Sequence, residues 1–524
     1  MANVRLPFLA LSIAALSCTS GSPGSGEDPP VVSYGAPVEL WRNGGCFASW
    51  CQTGWYASPA VVDLAGDGKP AVVWGSYDLV ALEAATGALR WRAANAARIW
   101  PSPAVADLDG DGKLEIAVGR GNDQLTVYSA TGVEKWSAHP FGGGEVRTLA
   151  VAPGMTGDGK LAVVVGRASG GETRQLSAYS AAGAVLPGWP ARHDGDPGYG
   201  WGMYNQNVAV ADLDADGEAE VIGPTDTHYI TALDRSGNQL PANARYGAGK
   251  VWSQVGVHVS DAVDLRGYAN CGTEHRPNFA DSAPVIADVD GNGTPEIVVV
   301  GNVYDCGADP YRSLYQMPFI LKADRSRWSG AGHDWTAIPP ALSGSSPKAE
   351  DYEVIETALP NPAVADLDGD GEAEILYPSY DGRLHAMWLD KTEHDGWPVK
   401  VPGPSYAFAS EPAVADLDGD GKAEVLFTSW SPKASGQTGK LLVVDAKGRQ
   451  VYAVDLPPAR SGGGWNGGLG APTLARLQAS GDLMVFVGTS ASGVVAYRLP
   501  ETASARVLWG TGRGSLLRRG VPAE

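Results

Sequence analysis

Five short loops of this sequence carry oxygen-donor side chains at a spacing that suits one hard cation. In the loop that begins at Asp107 (DLDGDGKLE), carboxylates occupy positions 1, 3, 5 and 9, and glycines occupy positions 4 and 6. Such a loop can wrap a calcium ion, with position 7 offering its backbone carbonyl. Without a cation, like charges about 4 Å apart repel by about 1 kcal/mol per pair in water and about 4 kcal/mol at an effective dielectric near 20. The spacing therefore predicts a metal site.

The same pattern begins again at four other aspartates, which gives about five structural Ca²⁺ sites. The predicted ligands are Asp107, Asp109, Asp111, Glu115, Asp212, Asp214, Asp216, Glu220, Asp288, Asp290, Asn292, Glu296, Asp366, Asp368, Asp370, Glu374, Asp416, Asp418, Asp420 and Glu424. Three further copies, at Asp63, Gly154 and Arg476, keep the flanking residues but lack two or more ligands. The chain therefore contains eight repeats, three of them degenerate.

The acidic character of the chain comes mainly from these loops. Their acidic ligands account for almost all of the formal net charge of −20. The rest of the chain is nearly balanced, so neither a strongly charged surface nor nucleic acid binding is expected.

The N terminus has the features of an export signal. Residues 1–18 contain Arg5, a short apolar run and the sequence ALSC, which resembles a bacterial lipobox. The run is too short to span a bilayer. We expect lipidation at Cys18, a flexible tether over 19–36 and contact with a membrane only through this anchor; ordinary cleavage and secretion is the alternative. The protein would be an outer-membrane or cell-surface lipoprotein, or secreted.

Each repeat predicts four antiparallel strands. An apolar strand runs into the acidic loop, a Val/Ile-rich strand leaves it, and a third strand turns at glycine into a fourth, as in SPAVAD, EIAVG, LTVYSATG and VEKW. An EF-hand would need a bidentate acid at loop position 12 and a following helix, neither of which is present. Repeats of this kind favour a propeller of four-stranded blades.

These loops and their Pro-Ala-Val lead-in resemble the FG-GAP (VCBS-type) repeat family, which includes integrin α-subunit propellers and bacterial surface proteins. The resemblance covers residues 37–514 and leaves 515–524 as a C-terminal tail. Val80–Trp91 also resembles the tryptophan-docking segment of quinoprotein-like propellers. Both imply an all-β propeller of four-stranded antiparallel blades, and the eight repeats favour an eight-bladed β-propeller, with seven blades as second choice. Either Val38–Trp41 or Arg506–Trp509 would complete the last blade.

In such a propeller the acidic loops share one face, and ligands of the resembling family usually bind the opposite face. The longest linkers, 241–281 and 325–358, should lie on that opposite face, and long insertions are often functional. Four cysteines besides Cys18 allow three pairings. This map of the faces pairs Cys271 with Cys306 and Cys46 with Cys51.

The tryptophans divide into two predicted roles. Trp41, Trp91, Trp136 and Trp509 fill a repeated strand position and should seal blade against blade. Trp55, Trp100, Trp201 and Trp465 precede innermost strands, near the mouth of the central channel, and are the candidate ligand-binding residues.

No GxSxG, HExxH or phosphate-binding loop occurs in the chain, so no catalytic residue is assigned. The leading hypothesis is a non-catalytic, calcium-stabilised recognition module that binds a glycan or a cell-surface or extracellular protein. The alternative is a polysaccharide lyase or hydrolase on the same scaffold.

Overall fold

The computed structural model describes residues 32–43, 57–168, 174–192, 202–224, 227–309, 311–348, 359–403, 406–432, 438–458, 465–490 and 493–522. The first strands are β1 (Val38–Asn43), β2 (Ala60–Val62), β3 (Ala71–Gly75), β4 (Leu79–Glu83), β5 (Leu89–Ala93), β6 (Ala104–Ala106), β7 (Glu115–Arg120), β8 (Gln124–Ser129), β9 (Glu134–Ala138), β10 (Glu145–Ala152), β11 (Ala162–Ala168), β12 (Arg174–Tyr179) and β13 (Ala191–Arg192). They are followed by β14 (Ala209–Ala211), β15 (Glu220–Gly223), β16 (Thr231–Leu233), two 3-10 helices (Ala244–Tyr246 and Trp252–Gln254), α1 (Asp261–Arg266), β17 (Arg276–Asn278), β18 (Val285–Ala287), β19 (Glu296–Asp305) and β20 (Arg312–Leu321). The remaining strands are β21 (Ser329–Gly330), β22 (His333–Asp334), β23 (Ala363–Ala365), β24 (Glu374–Ser379), β25 (Arg383–Met387), β26 (Val399–Lys400), β27 (Phe408–Ala409), β28 (Ala413–Asp416), β29 (Glu424–Pro432), β30 (Lys440–Val444), β31 (Gln450–Asp455), β32 (Trp465–Gly467), β33 (Thr473–Arg476), β34 (Leu483–Gly488), β35 (Val494–Arg498) and β36 (Arg506–Trp509).

The strands form a β-propeller with seven blades of four strands. Blade 1 is β2–β5, blade 2 is β6–β9, blade 3 is β10–β13, blade 4 is β17–β20, blade 5 is β23–β26, blade 6 is β28–β31, and blade 7 is β33–β35 with β1. Strands β14–β16 form a sheet of only three strands, whose β14 lies against β10 and β18. The prediction of eight four-stranded blades is therefore wrong. After β16 the chain makes only a single bridge, between Leu233 and Gln239, and then leaves at Pro241.

Burial follows the position of a strand within its blade. All six residues of β7 are buried, whereas every residue of the outer strand β9 is exposed or half-buried. Inner strands are covered on both faces by neighbouring blades, which explains their nearly continuous runs of apolar residues.

The two ends of the chain meet different blades. Strand β1 is the outermost strand of blade 7 and pairs with β35, so the N-terminal candidate completes the last blade. Strand β36 instead pairs with β28, on the inner edge of blade 6. Trp509 is consequently buried beside β28, and its predicted place among the blade-sealing tryptophans is wrong.

The segment after β36, residues 510–522, fills the centre of the ring. Backbone N–H groups of innermost strands donate to its carbonyls: Val105 to Leu516, Val151 to Leu517, Val210 to Arg519, Ile286 to Gly520 and Leu474 to Gly510. Within this segment, Arg513 and Arg518 are fully buried. The C-terminal segment therefore closes the central channel.

Tryptophan indoles join neighbouring sheets at the rim. Each donates its Nε1–H to a carbonyl that follows the third strand of the next sheet, at 2.8–3.0 Å. The pairs are Trp41 with Ala84, Trp91 with Ala130, Trp136 with Ala181, Trp189 with Arg235, Trp335 with Leu389 and Trp397 with Ala446. The sealing role predicted for Trp41, Trp91 and Trp136 is confirmed.

The linker that enters blade 4 runs along the rim before it reaches the opposite face. It is held by the fully buried Asp264, whose carboxylate contacts Arg325, Arg327 and His258. Burial alone would raise the pKa of Asp264, but the two guanidinium groups hold it below its ordinary value. Arg325 lies in the turn after β20, at the same end of the blade as the acidic loop. The first part of this linker therefore packs on the rim and the acidic-loop face. The prediction that it lies on the opposite face is wrong for this part.

Candidate metal centres and recognition surface

The acidic loops connect the first and second strands of their sheets, as predicted, and so share one face of the propeller, here called the acidic-loop face. Each position-1 aspartate organises its own loop. The carboxylate of Asp107 accepts the N–H groups of Gly110, Asp111 and Gly112 at 2.8–3.1 Å. Equivalent bonds form at Asp212, Asp288, Asp366 and Asp416. These local bonds fix the loop because they satisfy backbone donors three to five residues away.

The position-9 glutamate secures the other end of each loop. Glu115 is buried, and its Oε2 accepts the N–H of Leu108 at 2.9 Å. The same bond recurs at Glu220, Glu296, Glu374 and Glu424. One carboxylate oxygen of each glutamate is therefore used by the loop, and in Glu115 the other oxygen accepts a hydrogen bond from Lys135.

The structure brings most of the predicted ligands together. Ligand atoms of three acidic residues lie within 4.8 Å of one another in all five loops. The groups are Asp107–Asp109–Glu115, Asp212–Asp214–Glu220, Asp288–Asp290–Glu296, Asp366–Asp368–Glu374 and Asp416–Asp418–Asp420. The other position-5 side chains, Asp111, Asp216, Asn292 and Asp370, accept the N–H of position 7, as Asp420 also does. Position 5 therefore shapes the turn in every loop.

Burial makes the negative charge of four of the position-9 glutamates costly. It raises the pKa of Glu220 and Glu296 to about 7, of Glu424 to about 8 and of Glu374 to about 9. The loop aspartates add to the rise, and the position-2 amide opposes it. A bound cation would remove this cost by favouring the ionised carboxylates.

Two position-3 aspartates carry direct evidence that the donor set suits a cation. The Oδ1 atoms of Asp290 and Asp368 are buried and have no hydrogen-bond partner. Buried polar atoms are almost always paired. Both atoms belong to carboxylate groups with the hard oxygen donors that calcium and magnesium prefer. These acidic clusters could therefore hold metal ions.

The degenerate loops keep the turn without the ligand set. Asp63 accepts the N–H groups of Asp67 and Gly68, as the intact loops do, although positions 3 and 9 are Ala65 and Ala71. Three grooves of about 460, 780 and 380 Å³ are lined by residues of the degenerate loops that begin at Asp63, Gly154 and Arg476. The sequence analysis did not predict these grooves.

The candidate ligand-binding tryptophans do not form one described site. Trp55 and Trp201 lie outside the described residues, and Trp465 begins β32. Trp100 is only 8% exposed, and the guanidinium groups of Arg98 and Arg147 lie 4.2 and 4.0 Å from its ring centre. Its ring is therefore covered by cationic side chains.

A projecting hairpin on the opposite face was missed by the sequence analysis. Strands β19 and β20 have ten residues each and are the longest described strands. Their connection is braced by the Cys271–Cys306 disulfide, which confirms that predicted pairing. Tyr311 and Tyr268 beside it are 67% and 57% exposed. The sequence did contain a sign of this surface, since tyrosines flank both cysteines: Tyr268 lies near Cys271, and Tyr304 and Tyr311 lie near Cys306.

Several sequence predictions lie outside the described residues. They concern Cys18, residues 19–31 of the predicted tether and the pairing of Cys46 with Cys51. The remaining tether residues, 32–36, are described, and Tyr34 is buried with its ring against that of Tyr452. Within the described ranges, the helices are all too short to cross a bilayer.

Comparisons with known proteins agree with the repeat pattern. An FG-GAP-like repeat model matches residues 362–427, and an FG-GAP repeat model matches residues 100–132. No curated protein sequence matches the chain.

Three solved structures are similar to this chain at low sequence identity. The computationally designed Ika8 protein is 11% identical, with a TM-score of 0.46 over 88% of this chain and 100% of that one. The V. cholerae biofilm matrix protein Bap1 is 14% identical, with a TM-score of 0.48 over 88% and 91%. The Bacillus licheniformis rhamnogalacturonan lyase PL11 is 18% identical, with a TM-score of 0.47 over 89% and 75%. Likenesses with TM-scores below 0.5 carry no functional argument.

The repeats and the Cys271–Cys306 disulfide together indicate an extracellular or exported protein. The family matches fall on two of the acidic-loop repeats, and the sheets around them form the propeller described above. The chain therefore carries FG-GAP repeats within a β-propeller.

Proposed function

We propose that this propeller is an exported, lipid-anchored and calcium-stabilised recognition module that binds a glycan or an extracellular protein without catalysis. The observation that carries the proposal is the exposure of two tyrosines near the Cys271–Cys306 disulfide: Tyr311 on the β19–β20 hairpin and Tyr268 in the linker before β17. Exposed tyrosine rings supply large contact areas at low entropic cost, and a rigid support reduces that cost further.

The immediate surroundings of the tyrosines favour a preformed contact surface. The Tyr311 ring lies 5.3 Å from that of Tyr304, which is largely buried. The guanidinium of Arg266 lies 4.7 Å from the ring of Tyr268 and pairs with Glu274. These contacts and the nearby disulfide restrict both rings, which suits stacking on a sugar ring or insertion between protein side chains.

Binding to glycan arrays and to extracellular protein panels tests this role. The double variant Tyr268→Ala/Tyr311→Ala should lose at least about tenfold in affinity for any ligand found. Val133→Ala is the matched control, since Val133 is 64% exposed and lies on the acidic-loop face. Unchanged binding by the double variant would contradict the proposed surface. Formation of unsaturated products from acidic polysaccharides would favour the lyase alternative instead.

Calcium is the proposed guest of the acidic loops, because FG-GAP repeats often bind it and the clustered donors are carboxylates. When bound, it would neutralise the carboxylates and tie the ends of each loop. Binding to the folded state alone stabilises by about 2.7 kcal/mol per site at one hundred times the Kd. The melting temperature should fall clearly in chelator and recover with added calcium; an unchanged melting curve would contradict the role of calcium.

The proposed anchor is tested through Cys18. The Cys18→Ser variant should move from the detergent-soluble membrane fraction to the soluble extracytoplasmic fraction. An identical distribution of the variant and the wild type would contradict lipidation.

A further inference from the structure

The acidic loop that begins at Asp107 differs from the other four because an ammonium group lies among its ligands. The Nζ of Lys135 is 2.7 Å from Oε1 of Glu115 and 3.1 Å from Oδ2 of Asp109. Both acceptors belong to the cluster in which the ligand atoms lie within 4.8 Å of one another. The lysine thus bridges two of the three carboxylates that a metal ion would use.

The position of Lys135 is fixed by the fold. It lies on β9, directly before Trp136, whose indole bonds to the carbonyl of Ala181 in blade 3. This bond sets the outer strand against the neighbouring blade and directs Lys135 over the loop of its own blade. Its side chain is about one-third exposed, so the ammonium is partly removed from solvent.

Calcium and this ammonium compete for the same oxygens. Calcium binds oxygen at about 2.3–2.6 Å, and a lysine ammonium can offer three donors to the same acceptors. A calcium ion in this loop would have to break two charge-assisted hydrogen bonds and leave the lysine beside a dication.

The other four loops have no comparable group among the described residues. Among the described residues there, no lysine or arginine forms an ion pair with a position 1, 3 or 9 carboxylate; the charge of Lys322 acts on Glu296 from beyond ion-pair distance. The nearest recorded ion pairs use position 7: Arg235 with Glu218 and His333 with Glu372. Lys135 directly precedes the rim tryptophan of its blade. The corresponding residues are Asp334, before Trp335 of blade 4, and Gly396, before Trp397 of blade 5, and neither side chain is a cation.

We propose that Lys135 is the resident cation of the Asp107 loop, and that this loop binds calcium about tenfold to a hundredfold more weakly than the other intact loops. The chain then has four strong calcium sites where the spacing of ligands predicts five. This inference rests on the calcium part of the proposed function and assigns a different state to one of its sites.

Calcium titration of the full chain, by isothermal calorimetry with equilibrium dialysis as a check on stoichiometry, tests the assignment. We expect four strong sites in the wild type and five in Lys135→Met. Lys113→Met is the matched control: Lys113 contacts Asp111 of the same loop at 3.4 Å but is 78% exposed, so four sites should remain. Lys135→Arg keeps the charge and should also retain four.

Each outcome is informative. Five strong sites in the wild type, or four in Lys135→Met, overturns the assignment while leaving calcium binding intact. No binding by the wild type overturns both the assignment and the role of calcium. Melting in chelator gives an independent measure, because Lys135→Met should lower the melting temperature below that of the wild type and of Lys113→Met; equal values would overturn the role of Lys135.

Discussion

Replacing Arg518 with methionine tests whether the C-terminal segment holds the propeller together from its centre. The guanidinium is fully buried and donates hydrogen bonds to the carbonyls of Pro103, Gly512 and Pro59 at 3.1, 2.8 and 3.0 Å. Pro59 and Pro103 directly precede the inner strands β2 and β6. One side chain therefore ties the C-terminal segment to blades 1 and 2.

The expected loss follows from the acceptors that would remain. Leaving a buried carbonyl without a donor costs about 1–3 kcal/mol. Four carbonyls share this guanidinium, and Pro59 would keep the hydroxyl of Thr473 as a donor. Methionine offsets part of the loss because it removes a cation whose burial lowers the pKa of Arg518 to about 9. Removing one partner of a buried charged network typically costs about 3–5 kcal/mol, and we expect a loss in this range.

Denaturant unfolding of Arg518→Met and of Arg506→Met provides the measurement. Arg506 lies on β36 and is exposed, so its replacement should change the free energy of unfolding by less than about 0.5 kcal/mol. A loss of under about 1 kcal/mol for Arg518→Met, or equal losses for both variants, would refute the view that the segment is a structural closure.

Two further predictions concern a loop glycine position and a buried histidine. Ala215 occupies loop position 4 with φ 61°, whereas the Asp107 loop has Gly110 there, at φ 76° and with open space where a Cβ would lie. Because a left-handed backbone strains any residue with a Cβ, Ala215→Gly should stabilise the protein by about 1 kcal/mol and Gly110→Ala should destabilise it by a similar amount. Shifts of the melting temperature with the same sign for both variants would contradict this argument. His385 is buried between Asp381 and Glu393, and although burial lowers its pKa, hydrogen bonds to both carboxylates raise it to about 9. Because the folded pKa exceeds the ordinary 6.5, this stabilisation, about 3 kcal/mol, is complete below pH 6.5 and is lost as the pH rises through 9. The difference in unfolding free energy between the wild type and His385→Gln, measured in saturating calcium from pH 6 to 9.5, should shrink accordingly; a constant difference would contradict it.

The features that the sequence predicted correctly are those set by short-range contacts. The carboxylate of Asp107 bonds to amides three to five residues away, so the loop forms wherever its residues stand in order. The rim tryptophans Trp91 and Trp136 follow the same logic, since each bonds to the repeat that comes next in the chain.

The features that it missed depend on contacts between distant residues. Arg518 bonds to Pro59 across 459 residues, and no local pattern marks the C-terminal segment as part of the core. The place of β36 beside β28 is of the same kind, because the whole of β29–β35 separates the two strands in the sequence. The absence of a fourth strand after β16 also depends on distant contacts. The chain there leaves the sheet, and the linker is held instead by the ion pairs of Asp264 with Arg325 and Arg327.

The filled centre of the ring removes the axial channel as a place where a ligand can bind. Many propellers offer an axial channel, but here Arg513, Arg518 and their backbone neighbours occupy it, and the ring of Trp100 is covered by Arg98 and Arg147. The proposed recognition would then use surface features, either the tyrosine-bearing hairpin or the grooves beside the degenerate loops. Residues of the degenerate loops line all three grooves, although Asp109 of an intact loop also lines the groove of about 780 Å³. A loop that lacks the acidic ligands is free to vary in sequence, and the residues of the three degenerate loops accordingly line grooves.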